Sequence, residues 1–140
     1  REFAESWGIF MQMINIIRDV KEDAERDRIY LPIEDLARWG ITEDDVMGGQ
    51  ALLRHPGWTP FVKEYLQRAE VYRERAFKLL PYLDKSSRYS PAAMTSFYSS
   101  IMKKIIKRDG DVFSQRTQLS KSEKMFLAAY VYVRFRFIGL

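Results

Sequence analysis

Apolar residues recur at helical spacing from the first turn of the chain: Phe3, Trp7, Ile9, Phe10, Met13, Ile14, Ile16, Ile17 and Val20. Residues three and four apart share one face of an α-helix, so the pattern predicts a single opening helix to about residue 25. It fails at "RDRIYLP", where Pro32 disfavours helical geometry at Leu31 and suits the first turn of a following helix. "IEDLARWG" is then a short helix stopped by Gly40. Thr42 is the N-cap of "EDDVM", whose acids stand in the first turn where the helix dipole favours them. Gly48 and Gly49 end that helix, and "LLRHPGW" reads as a loop.

Thr59 and Pro60 restart a helix with Phe61, Tyr65, Leu66, Ala69, Tyr72, Ala76, Leu79, Leu80 and Leu83 in one stripe, which Pro81 kinks or shortens. Ser90 and Pro91 form a cap and first helical residue for the next segment. There Met94, Phe97, Tyr98, Ile101, Met102, Ile105 and Ile106 share a face, opposite Lys103, Lys104, Lys107 and Arg108. Gly110 ends it, "DVFSQRTQL" is a connector, and Ser120 with Glu123 makes a capping box for the last helix. The tail "YVYVRFRFI" alternates as a strand would, but no second strong strand exists to pair with it, so a helix is expected. The fold class is all-α, in one domain spanning residues 1–140.

Composition narrows the function classes. At 46% hydrophobic and 30% charged, the chain is a globular domain, not a disordered tail. It has no cysteine, which excludes disulfides, thiolate metal sites and cysteine nucleophiles. No window nears the roughly 18 uninterrupted apolar residues of a membrane span, so a cytoplasmic protein is expected. A net charge of +4 suits an anionic ligand. "REFAESWGIFMQ" opens without a signal peptide or a capping residue, so we expect a truncated fragment whose opening helix has lost partner helices and leaves apolar surface unpartnered.

Within that opening helix, Gln12, Asn15, Asp19 and Asp23 fall within about 80° of one another, a polar stripe on an otherwise hydrophobic element. Two carboxylates at i, i+4 with no histidine or cysteine nearby are hard oxygen ligands suited to Mg²⁺, an ion that keeps waters and shares substrate phosphates. Glu22 is beside them, and Arg18, Arg26 and Arg28 offer planar forks for phosphate oxygens. A solvated face of exposed ion pairs is the competing reading. Against it, the stripe continues into the apolar stretch, and the acids stand near a helix C-terminus, where the dipole disfavours negative charge.

These residues carry a family resemblance. "FMQMINIIRDVKEDAERDRIYLP" resembles the second aspartate-rich signature of the squalene and phytoene synthases, and "GDVFSQRTQLSKSEK" is similar to a later segment of the same family. The resemblance implies a helical isoprenoid-synthase fold and head-to-head condensation of two allylic prenyl diphosphates through a cyclopropylcarbinyl diphosphate. The substrate is expected to be C20, with a C15 substrate as the alternative. It further implies that Asp19 and Asp23, with Glu22 close by, hold Mg²⁺, or Mn²⁺ in its place, against the diphosphate. Gln12 and Asn15 would line the cavity, and Arg18, Arg28, Tyr30, Arg116 and Lys124 would contact or orient the diphosphate. NADPH is implied only for a squalene-forming member. Gly110 stands where relatives usually carry tyrosine, and the family's first aspartate-rich motif is absent from the chain, so the resemblance implies the C-terminal part of such a synthase domain, with the N-terminal helices that carry that motif missing. A non-catalytic relative and a head-to-tail elongating synthase are the competing classes; the retained acids argue against the first and "RIYLP" against the second.

Other candidates are weaker. His55, the one histidine, reads as a loop residue. The clusters "EDD" and "DGD" read as a helix start and a turn. The cationic face at Lys103, Lys104, Lys107 and Arg108 reads as a solvated helix face, with peripheral membrane contact as the minority reading. No nucleic-acid module matches the aromatic and basic residues of the tail.

Overall fold

In a computed structural model, which describes residues 1–137, the chain is a bundle of α-helices, and the described residues contain no strand. The helices are α1 (Glu2–Arg18), α2 (Val20–Ala24), α3 (Ile33–Arg38), α4 (Glu43–Met47), α5 (Trp58–Phe77), α6 (Tyr89–Lys107) and α7 (Lys121–Phe137). The expected single opening helix is thus two, divided at Asp19, whose φ of −102° and ψ of 11° leave the helical basin. Its backbone ladder survives, with the Asp19 N–H on Asn15 O and the Asp23 N–H on Asp19 O, both at 2.9 Å. The division is therefore a kink that turns the Asp19 side chain, not a chain reversal.

α1 and α5 form the central pair. α1 buries Phe10, Ile14 and Ile17, and α5 buries Trp58, Phe61, Val62, Tyr65, Leu66 and Ala69 against them. α6 closes the core with Ile101, Met102 and Ile105. It runs alongside α1 in the same direction, as the Trp7 indole donating to Thr95 and the edge contact of Phe10 with Tyr98 show. α5 runs against both, because its start meets the end of α6: the buried Trp58 indole donates to Gly110 O at 3.0 Å. α7 returns along α6, with Glu123 beside Lys104 and Tyr132 beside Tyr89. The C-terminal end of α1, the start of α5, the end of α6 and the connector 111–120 consequently meet at one end of the bundle.

Local capping is where sequence and structure part. Thr42 caps α4 as expected and adds a reciprocal box with Asp45, and Ser120 with Glu123 forms the expected capping box. Pro32, with ψ 119°, is the N-cap of α3 instead of its first-turn residue. Much of the expected loop before α5 is a 3-10 helix, Gly49–Arg54. α5 starts at Trp58, and the Thr59 hydroxyl donates to Asp109 O across the bundle instead of capping it. α5 has already ended at Phe77 when Pro81 appears, in a 3-10 turn. α6 begins at Tyr89, ahead of Ser90, because the Arg88 guanidinium clamps the preceding turn through Leu83 O and Pro81 O. The tail is helical through Phe137, and Ile138 lies outside the described residues.

The unpartnered apolar surface lies on α7, not α1. Met125, Phe126, Tyr130, Val133 and Phe137 are all at least half exposed, whereas the apolar stripe of α1 is largely covered and Ile9 is its main exposed member.

Candidate functional site

The kink at Asp19 gathers charge from two distant parts of the chain. Arg18 grips the Asp19 carboxylate with both arms of its fork, Nε to Oδ1 at 2.7 Å and Nη2 to Oδ2 at 2.5 Å. Arg116, on the connector after α6, reaches the same Oδ1 through Nη2 at 2.9 Å and Nε at 3.2 Å. It also comes within 3.6 Å of Glu22 Oε1. Lys21 fixes the connector from the other side by donating to Phe113 O at 3.2 Å. Asp111 holds its turn by accepting from the N–H groups of Phe113 and Ser114.

Burial works to raise the Asp19 carboxyl pKa, but hydrogen bonds from Arg18 and Arg116 outweigh it and leave the group below the usual carboxylate range. Arg18 is in turn raised, chiefly by its hydrogen bond to Asp19. Asp19 is thus an anion held between two cations. Close to it in the helix, Asn15 Oδ1 and Glu22 Oε2 are buried acceptors without a hydrogen bond among the described residues. Such atoms are costly unless a ligand, ion or water completes them.

The remaining expected residues divide. Asp23 lies one turn on, beside Ile16, Val20, Arg28, Ile29 and Tyr30, in a space too small for a water. Its side chain forms no hydrogen bond or ion pair among the described residues, although its carbonyl accepts from the Arg26 and Arg28 N–H groups. Gln12 is exposed on α1, upstream of the kink, and Arg28 and Tyr30 are exposed beyond it. Lys124, exposed in the first turn of α7, forms no hydrogen bond or ion pair with Asp19, Glu22 or Asp23. Among the described residues no three carboxylate or imidazole side chains converge into a ready-made metal cage.

Gly110 has a structural reason. Its φ is +83°, and an added Cβ would lie 3.0 Å from Val62 Cγ2 and 3.2 Å from Trp58 Nε1. A side chain at this backbone position would be strained and crowded, which glycine avoids, and no phenol is supplied here. Sequence reading missed Trp58 and Thr59, which pin the turn at 109–110; only Asp111, two and three residues before the N–H groups it accepts, carried a local turn signal. His55 Nδ1 accepts from the Gly57 N–H, a turn role. Lys104 is committed to Glu123 and Gln118 O, and Arg108 to Asp111, so among the described residues Lys103 and Lys107 of that face form no ion pair.

Comparison with known proteins places this geometry. A phytoene synthase 2 of Zea mays is 37% identical over 127 residues, covering 91% of this chain and 31% of the relative. A phytoene synthase of an Oncidium hybrid cultivar is 34% identical over 131 residues, covering 94% and 31%. The chain therefore spans about a third of the length of the curated relatives it matches. Both relatives are named as chloroplastic, which lends no support to a cytoplasmic location. No described helix is long and apolar enough to cross a membrane. The crystal structure of a dehydrosqualene synthase in complex with ligand superposes with a TM-score of 0.82 at 26% identity, covering 96% of this chain and 46% of that one. The squalene/phytoene synthase family model matches residues 1–123, most of the chain including α1, the kink and the connector, and the chain belongs to that family.

Proposed function

We propose that this chain supplies the second diphosphate-binding half of a head-to-head prenyltransferase, condensing two molecules of geranylgeranyl diphosphate to phytoene. The observation that carries the reading is the kink, where Asp19 and Glu22 meet Arg18 and Arg116 beside unpartnered buried acceptors. Relatives at 34–37% identity are named phytoene synthases, which supports the C20 substrate. The dehydrosqualene synthase neighbour supports farnesyl diphosphate as the second choice, and NADPH enters only with a squalene-forming variant.

The donor set fits a hard divalent cation: all candidate ligands are oxygens, and Glu22 Oε2 has no other partner. Asp19, Asp23 and Glu22 would hold Mg²⁺, with Mn²⁺ as the substitute. When bound, the ion supplies Lewis-acid assistance to diphosphate departure. The protein's own residues do the rest. Arg116 presents a fork to phosphate oxygens, Arg18 orients Asp19 beneath it, and Arg28, exposed next to Asp23, adds a second fork. Asn15, one helical turn before Asp19, has a side-chain carbonyl that is buried with no hydrogen bond among the described residues. The apolar core behind it, with Ile14 and Ile17 fully buried, keeps water from that side of the site. Peripheral lipid contact is better served by α7, which exposes Phe126, Tyr130, Val133 and Phe137 near Arg134 and Arg136, than by the partly neutralised face of α6.

The test is made in the complete synthase domain, with geranylgeranyl and farnesyl diphosphate supplied separately and hydrocarbon product followed. Asp19→Asn and Asp23→Asn should fold normally yet lose orders of magnitude in rate, each ~1.4 kcal/mol of lost transition-state stabilisation being tenfold. His55→Ala should change little. Near-normal turnover in both aspartate variants would return the kink to an ordinary charged surface.

A further inference from the structure

The two guanidiniums on Asp19 are not equivalent. Arg18 is four-fifths buried at its side chain and engages both carboxylate oxygens from the adjacent position. Arg116 is half exposed, shares one oxygen that Arg18 already uses, and reaches it across 97 residues of sequence. A half-exposed ion pair is weak, held by less than about a fivefold preference. The backbone beneath it is not weak. Phe113, Thr117 and Leu119 are buried on either side, Asp111 holds two N–H groups of the turn, and Lys21 ties Phe113 O to α2. The Arg116 side chain is therefore free to swing about a fixed anchor, while Arg18 is not.

A cation is needed at this place. Asp19, Glu22 and Asp23 crowd negative charge into little more than one helical turn, and Arg116 is the group that reaches both Asp19 and Glu22. A divalent ion bound to Asp19 Oδ1 and Glu22 Oε1, the two oxygens that Arg116 faces, takes the place of its fork there and repels it, whereas Arg18 keeps its hold on Asp19 Oδ2. A diphosphate arriving with the ion offers the displaced fork a bidentate acceptor. From this geometry we infer that Arg116 is a displaceable counter-cation. It neutralises Asp19 and Glu22 until metal and diphosphate arrive together, then transfers to the diphosphate. The inference rests on the diphosphate-binding function proposed above. It makes Arg116 a positioning residue that opposes metal without diphosphate and favours metal with it, so that the carboxylates are charged with a divalent ion only when substrate is present.

The experiment uses the 140-residue chain, Mn²⁺ and inorganic pyrophosphate. Mn²⁺ binding is followed by water-proton relaxation, and pyrophosphate retention by equilibrium dialysis at fixed Mn²⁺. Arg116→Gln should bind Mn²⁺ alone roughly two- to fivefold more tightly than the unmodified chain. It should retain pyrophosphate about tenfold less well, since a charged fork is lost. Arg116→Lys, which keeps the charge without the fork, should hold Mn²⁺ affinity near the original value and lose part of the pyrophosphate retention. Circular dichroism of both variants should be unchanged, because the side chain is half exposed. Equal or weaker Mn²⁺ binding by Arg116→Gln would overturn the transfer while leaving the diphosphate reading intact. Absence of pyrophosphate-dependent Mn²⁺ binding in every form would overturn both.

Discussion

Replacing Gly110 by alanine should destabilise the fold by about 2–4 kcal/mol. Two costs add. The backbone at φ +83° is in the left-handed region, where a side chain costs about 1–2 kcal/mol. The new methyl would also press on Val62 at 3.0 Å and Trp58 at 3.2 Å, both buried in the packed core. Overpacking of this kind costs about 1–3 kcal/mol. A loss of unfolded-chain entropy worth about 0.4–1 kcal/mol acts in the other direction. Gly40→Ala is the control: Gly40 shares the left-handed backbone at φ +69° but has nothing within 4 Å of an added Cβ, so it should cost only the backbone share. Urea unfolding followed by circular dichroism measures both. Equal losses in the two variants would refute the proposed packing of Gly110 on Trp58 and Val62, and with it the explanation for the missing tyrosine.

Glu123 should make α7 acid-sensitive. Hydrogen bonds from Lys104 and from Ser120 lower its pKa from 4.5 to about 2. A depressed folded pKa stabilises above the unfolded value, so that contribution should be lost as pH falls from about 4.5 towards 2. Thermal midpoints across that window should show the fall, and Glu123→Gln should lack it. Thr42→Ala removes the side-chain half of the α4 capping box and should cost about 1 kcal/mol in urea unfolding. The chain should pellet with phosphatidylglycerol vesicles but not with phosphatidylcholine vesicles, and Phe126→Ser with Phe137→Ser should abolish this; equal pelleting by the double variant would remove α7 from the contact.

The parts of the fold that were legible in the sequence are those settled within a few residues. The capping boxes at Thr42 and Ser120 close over three residues and need nothing from elsewhere. The starts of α5 and α6 were misplaced because their hydroxyls and prolines are overruled from outside the segment: Thr59 bonds to Asp109, and Arg88 clamps Pro81 and Leu83. The kink at Asp19 was invisible to periodicity, since the apolar spacing runs through it unchanged. Asp19 and Arg116 came together on paper only through family resemblance, because no local rule pairs residues 97 positions apart. Lys124 was named on the same basis, and the structure gives it no hydrogen bond or ion pair to the acids.

The central claim is that the acids at the end of α1 and in α2 hold a metal against diphosphate. Anomalous diffraction from crystals grown with Mn²⁺ and a non-reactive thiodiphosphate analogue tests it most directly. The predicted result is an anomalous peak about 2.1–2.2 Å from oxygens of Asp19 and Asp23, with Glu22 nearby and Arg116 turned from Asp19 to the diphosphate. A peak elsewhere, with Asp19 still gripped by both guanidiniums, would contradict it.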